Sequence, residues 1–118
     1  MMMRRLAMLA LLALPLLALT TAVPFLRIEQ PNGGETLRPG SEAHVRWLSV
    51  GVEGPVAILL FKGGEQHAVI AAEAPNIGFY RWQVPAALPD GGQYRLRICS
   101  LRDLRVNDFS DRDFAIKK

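Results

Sequence analysis

Asn107, Asp108, Asp111 and Asp113 crowd one short stretch near the end of the chain. Carboxylate and amide oxygens gathered on a loop are the ligands that a calcium ion takes. The order Asn-Asp-Phe-Ser-Asp-Arg-Asp departs from a calcium loop in two ways. It has no glycine to let the chain wrap an ion, and Arg112 sets a positive charge among the oxygens. The same side chains can instead hydrogen-bond nearby backbone groups and shape the loop. The sequence favours that loop-shaping role, with Asp108, Asp111 and Asp113 as the residues a metal would use on the other reading.

His44 and His67 lie on separate segments with no further ligand at metal-site spacing, and both are expected at the surface. Cys99 is the single cysteine of the chain. It can pair only with another chain, or sit as a small inert strand residue, which is the favoured reading. The sequence around it supplies no activating base. No nucleophile elbow, His-Glu helix pair or phosphate loop occurs, so no catalytic residue and no cofactor is assigned. What remains is contact chemistry. Phe79 and Arg81 fall on the outward phase of one alternating segment, and Phe61 and Phe109 on outward or loop positions elsewhere. Exposed aromatic faces stack on sugars or mark a protein contact, and Phe79, Arg81 and Phe61 are the candidate ligand contacts. Arg81, Arg95 and Arg97 are expected to pair with acids of neighbouring strands rather than form a basic stripe.

Such side chains must be held by strands. Seven short apolar runs, 25–29, 43–48, 56–62, 67–72, 78–84, 93–100 and 113–117, are separated by dense Gly and Pro punctuation. Several alternate with period two: Ala43, Val45 and Trp47 against His44 and Arg46; Tyr80, Trp82 and Val84 against Phe79, Arg81 and Gln83; Tyr94, Leu96 and Ile98 against Arg95, Arg97 and Cys99. Strict alternation marks a strand with one buried and one wet face. Pro31-Asn32-Gly33-Gly34, Arg38-Pro39-Gly40 and Pro89-Asp90-Gly91-Gly92 have turn chemistry, and Gly63-Gly64 reads as a hairpin between two strands. Seven short antiparallel strands in under about 100 residues predict a two-sheet sandwich.

Ahead of this domain stands a leader, residues 1–22. Met1-Met2-Met3-Arg4-Arg5 is positive, 6–19 is an apolar run broken by Pro15, and Thr20-Thr21-Ala22 offers small residues before a cut after Ala22. That is the layout of a secretory signal peptide with its helix. It predicts one sandwich domain over 23–118, secreted, periplasmic or at the cell surface, and touching membrane only through the leader if that is not cleaved. With the leader removed, 12 basic residues face 11 acidic ones. The remaining charge is too small for a phosphate-binding field, which excludes nucleic acid as a partner.

The punctuation resembles a known family. Ile28-Glu29-Gln30-Pro31-Asn32-Gly33-Gly34-Glu35-Thr36, then Gly40 and Val45-Arg46-Trp47, is similar to the opening of the N-terminal domain of yeast cell-wall β-1,6-glucan synthesis proteins, also called the Ser/Thr-rich GPI-anchored membrane protein family. Asn76-Ile77-Gly78-Phe79-Tyr80-Arg81-Trp82-Gln83-Val84-Pro85 continues the likeness, as do Tyr94-Arg95-Leu96-Arg97-Ile98-Cys99-Ser100 and Ser110-Asp111 before Phe114-Ala115-Ile116. Leu37 stands where the family often carries tryptophan, and a Ser/Thr-rich stalk and apolar tail are missing. The resemblance implies an immunoglobulin-like or fibronectin-III-like sandwich, as a standalone exported domain without catalytic residues. Asn76, Gly78, Ser110 and Asp111 would have fold-keeping roles. The expected function is a non-enzymatic binding or structural module of the cell envelope, with an envelope protein or polysaccharide as partner. The alternatives are a dedicated polysaccharide-binding module, or a small exported protease inhibitor using the 101–112 loop.

Overall fold

The computed structural model describes residues 23–118. The expected signal peptide and its cut after Ala22 lie outside the described residues. Nine strands form two sheets: β1 (Phe25–Gln30), β2 (Thr36–Leu37), β3 (Glu42–Val50), β4 (Val56–Lys62), β5 (Glu65–Ala74), β6 (Phe79–Gln83), β7 (Gly91–Ser100), β8 (Asn107–Phe109) and β9 (Phe114–Ile116). The small sheet has the order β1-β3-β6, and the large one β2-β9-β7-β4-β5 with β8 beside β7. The fold is the expected all-β antiparallel sandwich, and the seven expected segments are all strands. Two short strands are additional. β2 pairs in parallel with β9, because the chain leaves β1 at Pro31 and crosses to the other sheet. β8 pairs antiparallel with β7.

Alternation places the core where the pattern requires. Leu26, Ile28, Val45, Trp47 and Trp82 of the small sheet face Val56, Ile58, Leu60, Tyr94, Leu96, Ile98, Phe114 and Ile116 of the large one, all buried. Each such aliphatic side chain stabilises the fold by about 1.5–3 kcal/mol relative to exposure. Tyr80 is half-buried against the same cluster, and so is Leu37. β5 escapes simple alternation, since irregularities in its register with β4 shift the phase of its side chains. Cys99 falls on the outward phase of β7, as expected of an inert strand residue, but it is buried. It lies between Ala57 of β4 and Asn107 of β8 in register.

Polar anchors lock the turns. The Tyr94 hydroxyl donates to the Pro89 carbonyl at 2.6 Å, tying β7 to the turn before it in the manner of a tyrosine corner. Burial, with Asp90 adding to it, raises the Tyr94 pKa. Asn76 accepts from Trp47 Nε1 at 2.9 Å and donates to Ser49 Oγ and the Val52 carbonyl. Gly78 has a φ of +80°, and a β-carbon there would stand 3.0 Å from the Trp47 carbonyl oxygen, so only glycine makes this turn without strain.

Candidate functional site

The acidic approach to the last strand is spent on structure. Asp108 Oδ2 accepts from the Ile28 backbone N–H at 2.8 Å and so joins β8 to β1. Asp111 and Asn32 exchange two bonds: Asn32 Nδ2 donates to Asp111 Oδ2 at 2.9 Å, and the Asp111 N–H donates to Asn32 Oδ1 at 2.7 Å. Asp113 accepts from Arg95 Nε at 2.7 Å. The three carboxylates thus serve three different partners distant in the chain, whereas the sequence placed their bonds on nearby backbone groups. Among the described residues, no group of His, Cys, Asp or Glu has an arrangement that could hold a metal ion. Between them, Ser110 is buried; its Oγ donates to the Pro31 carbonyl at 2.8 Å and accepts from the Leu96 N–H at 3.0 Å.

The contact candidates divide between the two faces of the sandwich. Phe61 projects from the outer face of the large sheet, where it meets Phe109 edge to face with centroids 5.0 Å apart. Arg97 lies over the Phe109 ring at 5.5 Å and donates to Asn107. The Arg95–Asp113 pair lines the same groove with Gln93 and Gly63-Gly64, and the groove has a volume of about 490 Å³. A half-buried Phe61 and an exposed Phe109 next to hydrogen-bonding groups offer an apolar surface with oriented polar contacts, the usual make-up of a ligand site.

Phe79 and Arg81 instead share the outer face of the small sheet, so the structure does not join them to Phe61. Phe79 is half-buried beneath Arg46, whose guanidinium stands 5.0 Å from the ring centroid, and His44 meets the ring edge to face at 5.4 Å. His44 and His67 are both exposed, as expected. Of the three arginines expected to pair with strand acids, only Arg95 does so; Arg97 bonds an amide, and Arg81 has no carboxylate partner among the described residues. Arg27 and Arg46 were not among the sequence-derived candidates, although their alternation with Leu26, Ile28, Val45 and Trp47 marks both as outward.

The loop proposed for a protease cleft is mostly built into the fold. Residues 107–109 are β8, and Ser100 Oγ accepts from the N–H groups of Arg102 and Asp103 to hold the preceding turn. The Arg105 guanidinium donates two bonds to the Asp103 carboxylate and its backbone N–H a third, and together they hold the Asp103 pKa below the ordinary value.

Comparison with known proteins finds one family. The family model described as Kre9/KNH-like N-terminal Ig-like domain matches residues 30–115, from the end of β1 into β9. No curated protein and no solved structure matches the chain.

Proposed function

The chain belongs to the Kre9/KNH-like N-terminal Ig-like domain family, and from that premise we propose that it is an exported, non-enzymatic module that binds a polysaccharide or protein of the cell envelope. Membership in a cell-wall family supports the location. The observation that carries the binding role is the Phe61–Phe109 pair set beside Arg95 and Asp113 in one groove. Aromatic rings there can pack on the C–H face of a sugar or on an apolar side chain. The arginine and carboxylate beside them meet hydroxyl or amide groups. The polar residues inside the fold are occupied in holding strands and turns, which suits a module whose work is contact.

Co-sedimentation with insoluble envelope material from the source organism tests this. Phe61→Ala combined with Phe109→Ala should weaken retention about tenfold, since anchor aromatics carry most of the energy of such contacts. Arg95→Gln, at a more exposed position, should weaken it without unfolding the protein. Undiminished retention in both variants would remove the groove from the proposal. Turnover of any glycan or ester by the purified protein would overturn the non-enzymatic reading.

A further inference from the structure

The small sheet carries a second surface of different chemistry. Arg27 of β1 stands beside Leu48 in register, Arg46 of β3 two residues further along and beside Phe79, and Arg81 of β6 two residues further again, beside His44. All three arginines are exposed. With strands about 4.8 Å apart and about 3.4 Å per residue, consecutive arginines lie about 8 Å apart, on a diagonal crossing all three strands. None of the three has a carboxylate oxygen within 4.0 Å among the described residues. A parallel diagonal of Phe25, Leu48 and Phe79 runs along one side, and two of its rings prop the guanidiniums: Arg27 lies 5.7 Å from the Phe25 centroid and Arg46 5.0 Å from that of Phe79. Cation–π contact of this kind limits the wandering of a long side chain while leaving its donors free.

We infer that this arginine diagonal binds a carboxylated polysaccharide, laid across the three strands with its carboxylates received by Arg27, Arg46 and Arg81. Charge complementarity argues for an anion, and the planar guanidinium fork matches a carboxylate in bidentate geometry. The spacing argues for a polymer of modest charge density. Duplex DNA carries a charge every ~1.7 Å of its length, far denser than this stripe. Glu42, on the outward phase of β3, would also repel a polyanion that spread beyond the diagonal. The choice of a polysaccharide rests on the envelope role proposed above; the anion site rests on geometry alone. It uses the sheet opposite the Phe61 groove, so either surface can fail while the other stands.

Polygalacturonate and its fully methyl-esterified form share a backbone and differ in charge, which makes them the probes. The wild-type protein should bind polygalacturonate at low salt at least about tenfold more tightly than the ester, with the difference shrinking as salt screens it. Arg46→Gln with Arg81→Gln should remove most of that preference while the protein stays folded, with the melting temperature lowered only slightly by the lost Arg46–Phe79 contact. Arg46→Lys with Arg81→Lys should retain only part of it, because lysine keeps the charge but loses the fork. The inference is overturned by equal binding of the two polymers, by a full preference surviving in the glutamine variant, or by no binding at low salt. It is equally overturned if duplex DNA or phosphatidylserine vesicles bind as tightly as polygalacturonate at the same salt.

Discussion

Trp82 and Phe79 sit three residues apart on one strand and face opposite ways, which makes them a direct check on the phase of β6. Trp82 is buried among residues of both sheets, whereas Phe79 is half-buried under Arg46 on the outer face. Trp82→Ala should cost about 3–5 kcal/mol, the range for removing a buried large aromatic. Phe79→Ala should cost about 1 kcal/mol, the scale of a partly exposed aromatic or cation–π contact. Thermal or urea denaturation of the two variants measures the difference, and equal losses would mean that the inward set is misassigned. At this scale the acidic residues near the C-terminus are instructive as well. Asp108, Asp111 and Asp113 look alike in sequence, yet one serves a strand edge, one an asparagine and one an arginine.

Among the elements, the two-residue strand β2 and the turn between β8 and β9 meet where the chain crosses between the sheets. β1 and β2 belong to different sheets, and Ser110 clamps the crossing by bridging the Pro31 carbonyl to the Leu96 N–H. Removing its hydroxyl leaves two buried backbone groups short of a partner. Ser110→Ala should therefore cost about 2–6 kcal/mol, with each of the two unsatisfied groups contributing about 1–3. Asp111→Ala, which breaks an exposed contact with Asn32, should cost about 1 kcal/mol. Urea titrations of both variants check the order; a Ser110 variant no less stable than the Asp111 variant would show that the crossing is held by something else.

At the scale of the molecule, one flank of the sandwich is closed by Asp108 reaching Ile28 and by the Ser110 clamp, while β5 and β6 are the edge strands at the opposite ends of their sheets. Both tryptophans, Trp47 and Trp82, belong to the small sheet. Their fluorescence consequently reports that sheet, whereas far-ultraviolet circular dichroism averages over both. Because the two inner faces form one hydrophobic cluster, the two signals should give the same unfolding midpoint, as a two-state transition requires. Midpoints that separate would show that the sheets melt independently and that the inter-sheet core is weaker than its burial implies.

Local pattern by itself determined most of the architecture. Period-two alternation named the inward residues of β3, β6 and β7, the glycine and proline clusters placed the turns, and the ordered motifs pointed to the family whose model matches residues 30–115. Those signals are legible because each depends on neighbours in the chain: the pleat fixes which way a side chain points, and a turn needs particular backbone angles. Only the tertiary structure decided what lies across from what. β2 and β8, two and three residues long, are too short to show a period. Cys99 is buried by neighbours on other strands, and Phe61 is parted from Phe79 and Arg81 because their strands entered different sheets. The diagonal of Arg27, Arg46 and Arg81 exists only in the register of three strands distant in sequence. Alternation carries no information about register or sheet membership, since both are set by packing between segments far apart in the chain.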